Sequence, residues 1–323
     1  MAKKDIKILV GLWVLAWVLS ALTAWVYEIS YNPAVNTHGP DSIVHPITQW
    51  ISLPASTVAE RVRSETTWTI FIIFPFLYGP ILTLLYIMTR FSKNRQPTPA
   101  PVRENLKLEV AWTTIPALVL IAMAVPAYDV LRYIEAKPTH PDQVVNVTGA
   151  QFYWQYELPR YGVVTTDNGG TPTINKETGR AVEEDSWLHL PLHKSVLLNG
   201  QSFQVNHAWW VPAFGVKFDV IPGRINTAWF DTKKKGYFKG QCAELCGALH
   251  AYMLINVVVE EEKDFYQWVL RKGGTIPAEE EAKVVSLLGA DYREKYGPKE
   301  AEKPSAPAAA AEPAAAPKAA EAK

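Results

Sequence analysis

The sequence predicts N-terminal transmembrane helices, then an all-β Greek-key sandwich outside the membrane, then a disordered C-terminal tail. Three observations carry this. Apolar residues are concentrated in three blocks between Ile8 and Val130 instead of being spread along the chain. Short β-rich runs separated by Gly, Pro and Asn turns fill residues 143–262, and from Pro298 onward Ala, Pro, Glu and Lys dominate. The domains expected are 1–66 (a membrane helix or uncleaved signal anchor and an external loop), 67–136 (a transmembrane helical hairpin), 137–265 (the sandwich) and 266–323 (a helical segment and the tail). Lys+Arg and Asp+Glu both number 32, and this zero net charge argues against nucleic acid as a partner.

The first block, Ile8 to Tyr27, is uncharged, long enough to cross a bilayer as a helix, and preceded by Lys3, Lys4 and Lys7. A cleaved signal peptide is the alternative, given the basic flank and the small Ala21 and Ala24; the long apolar core favours a retained helix. Residues 28–66, broken by Pro33, Gly39, Pro40, Pro46 and Pro54, read as a loop with one short helix near Ser56 to Glu65. His38 and His45 in that loop read as solvated.

The second block, Trp68 to Thr89, holds Pro75 and Pro80, which membrane helices tolerate where neighbouring helices satisfy the freed carbonyls. After it come Arg90, Lys93, Arg95, Arg103 and Lys107 against the single acid Glu104, so that loop is cytoplasmic by the positive-inside rule. The third block, Val110 to Val130, returns the chain to the outer side. At its start, Glu109 reads either as an acid stabilised by the helix dipole or as a functional ionisable group at a membrane edge.

Strand-like runs cover Val144 to Tyr156, Ser195 to Val205, Ile225 to Phe230 and Leu254 to Glu260. Thr165 to Ser186, with its run Glu183-Glu184-Asp185, reads as a surface hairpin or insertion whose charges are solvated. His189 and His193 read as structural. Beyond the sandwich, Asp264 to Arg271 is amphipathic and Ala278 to Tyr296 reads as a helix. The tail cannot bury enough apolar area to fold.

The chemistry is concentrated between Gly240 and Met253. This stretch holds the only cysteines, Cys242 and Cys246, with His250 four residues further on and Met253 beyond it. Soft thiolate and thioether donors mixed with imidazole suit copper. Two bridging thiolates can hold two copper ions, each completed by one imidazole and one weak axial ligand, Met253 on one and a backbone carbonyl such as that of Glu244 on the other. The second imidazole then has to come from elsewhere, and His207, at the end of a strand-like run, is the best placed. Tetrahedral zinc and a disulfide are the alternatives.

The run from Gly240 to Met253 resembles subunit II of haem-copper cytochrome c oxidases, which carries the dinuclear CuA centre. So do the run from His207 to Arg224, which begins His-Ala-Trp-Trp-Val-Pro, and the motifs Glu109-Val-Ala-Trp-Thr-Thr-Ile-Pro116 and Gln151-Phe-Tyr-Trp-Gln-Tyr-Glu157. The resemblance covers roughly residues 67 to 262. It implies a cupredoxin-like sandwich with a dinuclear copper centre held by His207, Cys242, Glu244, Cys246, His250 and Met253. It further implies electron acceptance from a cytochrome c near Phe152, Tyr153 and Trp154, and transfer to haem in subunit I for reduction of oxygen to water with proton pumping. Subunit I and other oxidase subunits would be the partners, lipid would surround the helices, and the location would be a bacterial inner membrane with the copper domain on the periplasmic side. Glu109 would lie near the mouth of a proton pathway, and the Glu244 carboxylate near a magnesium or manganese ion shared with subunit I.

Two departures bear on the donor: Phe152 stands where the family has an exposed tryptophan, and Phe203 and Gln204 stand where it often has acids. They point to a membrane-bound or tethered cytochrome. The Cys-x-x-Cys-His haem-attachment sequence is absent, so the donor is a separate molecule. A nitric oxide reductase subunit and a membrane-anchored copper-binding or storage protein are the alternative functions.

Overall fold

The computed structural model describes residues 3–30, 54–96, 98, 104–169 and 184–297. His38, His45, Arg103, most of the expected 165–186 insertion and the tail from 298 lie outside the described residues.

Among the described residues, three helices are long and apolar enough to cross a membrane: α1 (Lys3–Ser30), α2 (Thr57–Arg90) and α3 (Leu106–Glu135). The short helix expected at 56–65 is the first part of α2, which runs unbroken from Thr57 into the apolar span expected from Trp68. Ser56 caps it, its hydroxyl accepting from the Ala59 N–H at 2.9 Å. Thr66 and Thr67 return their hydroxyls to the carbonyls of Val62 and Arg63, and Pro75 and Pro80 remain inside the helix. Polar groups join α1 to α2. Ser20 Oγ donates to the Phe71 carbonyl at 2.6 Å, Thr23 Oγ1 meets Tyr78 Oη at 3.0 Å, and the buried Asp5 accepts from Tyr86 at 2.7 Å and faces Arg90 at 3.3 Å.

The described residues of the sandwich form ten strands: β1 (Gln143–Ala150), β2 (Tyr153–Leu158), β3 (Val163–Asp167), β4 (Leu188–Pro191), β5 (Ser195–Ser202), β6 (His207–Val211), β7 (Val216–Val220), β8 (Asn226–Asp231), β9 (Gly236–Cys242) and β10 (Leu254–Glu260). They form two five-stranded sheets, ordered β3-β2-β1-β5-β8 and β4-β10-β9-β6-β7. β1 with β5 and β4 with β10 pair in parallel, while the other neighbours are antiparallel. The expected single run Val144 to Tyr156 is two strands, folded back so that Ala150 faces Tyr153.

Between the sheets lie the fully buried Trp154, Tyr156, Trp209, Phe214 and Phe230. Phe214 stacks on Phe230 with centroids 4.2 Å apart, and Trp209 Nε1 donates to Tyr156 Oη at 3.3 Å. Each such side chain contributes about 1.5–3 kcal/mol by leaving water.

Two helix ends hold this sandwich from below. The Thr57 amide and hydroxyl both donate to the Asp231 carboxylate, at 2.7 and 2.5 Å, and Ser56 Oγ donates to the Phe214 carbonyl at 2.6 Å. From the end of α3, the Ile134 carbonyl accepts from Trp229 Nε1 at 2.8 Å, and Tyr133 packs on the Trp229 ring.

The folded unit runs past the expected boundary at 265. Helix α4 (Glu262–Arg271) buries Phe265, Tyr266, Trp268, Val269 and Leu270. The expected helix from Ala278 to Tyr296 divides at Gly289 into α5 (Ala278–Leu288) and α6 (Tyr292–Tyr296), which bury Val284, Leu288 and Tyr292. His189, as expected, is structural: fully buried, it stacks on Trp268 and meets the Glu260 carboxylate at 2.7 Å.

Candidate metal centre

β9 supplies Cys242 as its last residue, the loop from β9 to β10 supplies Glu244, Cys246, His250 and Met253, and β6 supplies His207. Strand pairing explains how the distant histidine arrives. Trp209 of β6 lies opposite Cys242 of β9, and the Ala243 N–H donates to the Ala208 carbonyl at 2.9 Å. His207 is fully buried against β1, where a Cβ at Gly149 would stand 3.0 Å from its ring, so a larger residue there would displace it. The Trp154 ring meets His207 edge-on, with centroids 5.8 Å apart.

The donor atoms fall into two matching halves. Cys242 Sγ lies 3.7 Å from His207 Nδ1 and 3.3 Å from the Glu244 carbonyl oxygen. Cys246 Sγ lies 3.6 Å from His250 Nδ1 and 3.9 Å from Met253 Sδ. The two sulfurs are 3.9 Å apart, and both cysteines are free thiols, which removes the disulfide alternative. Met253 is fully buried, and its carbonyl accepts from the Cys242 N–H at 3.0 Å, tying the two ends of the loop together.

Burial, reinforced by neighbouring Cys242, pushes the Cys246 thiol up to about 12, so without a metal it stays protonated. Ligation would require the thiolate forms, and soft sulfur with imidazole selects copper or zinc over hard ions. The residues present fit the group that the sequence implies.

The remaining candidates occupy varied positions. Phe152 and Tyr153 are half-buried, and Phe152 packs beside the metal loop, where a Cβ at Gly247 would stand 3.0 Å from its ring. Trp154 has no exposed surface, so it cannot touch a docking donor. The Glu244 carboxylate is on an exposed residue. Glu109 turns back on its own helix, accepting from the Asn105 N–H at 3.2 Å, while Asn105 caps the Leu108 N–H. Sequence reasoning passed over Gln151, whose side-chain amide donates to the Cys246 carbonyl at 2.6 Å; it opens the Gln-Phe-Tyr-Trp motif, which was the available signal.

Residues 143–261 match the periplasmic domain of cytochrome C oxidase subunit II, and residues 45–130 match its transmembrane domain. The chain is 33% identical over 238 residues to the probable cytochrome c oxidase subunit 2 of Rickettsia prowazekii, covering 72% of this chain and 75% of that one. The chain belongs to the cytochrome c oxidase subunit II family. Its similarity to cytochrome c oxidase subunit 2 of Cereibacter sphaeroides is 35% over 241 residues, covering 68% of this chain and 79% of that one. The crystal structure of the periplasmic domain of the Bradyrhizobium japonicum oxidase subunit II is 37% identical, with a TM-score of 0.36, over 40% of this chain and 92% of that one.

As a member of the subunit II family, the chain is one subunit of an oxidoreductase complex, anchored by membrane helices, with its copper-type domain outside. Helix α1 lies outside both family matches.

Proposed function

We propose that this chain is the electron-accepting subunit of a proton-pumping haem-copper oxidase in a bacterial inner membrane, taking electrons from a cytochrome c and passing them to haem in subunit I. The observation that carries this is the doubled donor set: two thiols 3.9 Å apart, each facing its own histidine Nδ1. A pair of copper ions bound there supplies one-electron relay with little change of geometry. The protein's part is to hold two donors, His207 and Cys242, on strands and four on the loop that joins β9 to β10, and to keep water from the sulfurs, since Cys242 and Cys246 are both buried. The Glu244 carboxylate would meet a magnesium or manganese ion shared with subunit I, a reading supported by its exposure and by the family resemblance.

Copper content and low-temperature electron paramagnetic resonance of the full chain test this reading. The expected result is two coppers per chain and the hyperfine pattern of one electron shared by two nuclei. Zinc, or a single copper with a four-line pattern, would overturn it. In the assembled oxidase from manganese-grown cells, absence of a protein-bound manganese signal would remove the shared ion.

The surface around the loop bears on the donor. Phe203, Leu245, Leu249 and Tyr252 are all at least half exposed, giving an apolar rim where acids would steer a basic cytochrome. A membrane-bound or tethered cytochrome needs no such steering. Stopped-flow oxidation of candidate donors should therefore change by less than about threefold between low and physiological salt. Fast, strongly salt-dependent oxidation of a soluble basic cytochrome c would sink this choice of donor.

A further inference from the structure

Asp167 ends β3, in the other sheet from the metal loop, and is 1% exposed. Its carboxylate accepts from the Asn256 backbone N–H at 2.8 Å, from the Asn256 side-chain amide at 3.0 and 3.1 Å, and from the Gly169 N–H at 3.0 Å. Asn256 is equally buried and lies three residues after Met253 on β10. β4 pairs with β10 only from Val257 onward, so among the described residues no strand covers the Asn256 N–H, and the Asp167 carboxylate accepts from it. Asn256 Oδ1 in turn accepts from the Tyr237 hydroxyl, and Trp187 stacks on the Tyr237 ring at 4.8 Å.

The second grip is steric. Gly169 has φ +69°, and a Cβ there would collide with the Tyr252 carbonyl oxygen and stand 2.9 Å from the Leu254 nitrogen and 3.4 Å from the Met253 Cα. The backbone that carries Met253 is therefore pressed between Gly169 on one side and its own tie to Cys242 on the other.

We propose that Asp167 is a positioning residue for Met253, setting the reach of its thioether sulfur and thereby the reduction potential of the centre. The inference rests on the copper reading above. The physical reason is that an axial thioether is a weak, long ligand whose donation changes with small displacements, so the groups that fix its backbone tune the site without touching the metal. The hydrogen bonds that Asp167 makes to Gly169 and Asn256 do not involve the side chains of Cys242, Cys246, His207 or His250.

The test is spectroelectrochemical titration and electron paramagnetic resonance of the assembled oxidase carrying Asp167→Asn, Gly169→Ala, or the exchange Asp167→Asn with Asn256→Asp. Asp167→Asn should keep two coppers sharing one electron while shifting electron exchange with a reference couple about tenfold toward the reduced centre, equivalent to about 59 mV for one electron. Gly169→Ala changes no charge, so a shift of similar size there reports position alone. The exchange should return the potential toward wild type. Wild-type potentials in both single variants, even with lowered melting temperatures, would reduce Asp167 to a structural role and overturn the proposal. If Asp167→Asn fails to assemble, Gly169→Ala decides by the same criterion. A wild-type oxidase without a shared-electron signal would instead defeat the copper reading, and that is visible before any variant is made.

Discussion

Cys242→Ser is expected to abolish the shared-electron signal, leave at most one copper per chain, and lower oxygen consumption with a cytochrome donor by at least about 100-fold. Serine keeps the shape of the side chain but replaces a soft thiolate with a hard oxygen that stays protonated. The half-site built from Cys242, His207 and the Glu244 carbonyl then loses its anionic donor, and Cys246 loses the partner that faces it at 3.9 Å. Metal analysis, resonance spectra and an oxygen electrode read the three effects separately. Wild-type turnover in this variant would mean that electrons enter the oxidase by another route.

The second large effect is expected far from the metal. Trp268 lies in α4, beyond the residues that match the family's periplasmic domain, yet it is fully buried, stacks on His189 at 4.6 Å and donates its indole N–H to the Asp185 carbonyl at 3.0 Å. Trp268→Ala should cost about 3–5 kcal/mol through the cavity and the lost packing. In a domain of this size that corresponds to roughly 10–20 °C in apparent melting temperature, followed by thermal scanning of the full chain. Trp268→Phe, which keeps most of the volume, should lose less than half as much. A melting temperature for Trp268→Ala within a few degrees of wild type would show α4 to be an appendage and not part of the core.

Legibility in the sequence tracks the range of the signal. Met253, His250, Cys246 and Cys242 lie on one short stretch, so their spacing alone exposed a soft-metal site, and β10 was legible to the residue because Leu254 to Glu260 is an apolar run bounded by the loop. β7 was missed although Val216, Phe218 and Val220 alternate inward against exposed Lys217 and Asp219. The start of α2 was obscured because Pro54 and the polar stretch before Trp68 resemble a loop, whereas Ser56 capping and tertiary contacts to Asp231 carry the helix through them. Asp167 was not legible at all. It stands in a stretch rich in Thr, Asp, Asn and Gly that reads as a solvated hairpin, and only the meeting of β3 with β10 shows that its carboxylate is buried. Asp185, read as a solvated charge, is indeed exposed, and it pairs with Arg271 at the surface at 3.0 Å. The burial of Trp154 was not legible for a related reason: strand alternation puts one residue of each adjacent pair inside, and the pattern does not say which until the opposite sheet is in place.

The double attachment of β8, by Asp231 to the start of α2 and by Trp229 to the end of α3, has a mechanical consequence. A globule on one stalk swings about it; on two stalks gripping the same strand it keeps a single tilt. On the electron-relay role proposed above, the separation between the metal loop and the acceptor would then be written into the fold, and tunnelling, which weakens steeply with distance, would proceed at one fixed gap without waiting for a favourable swing.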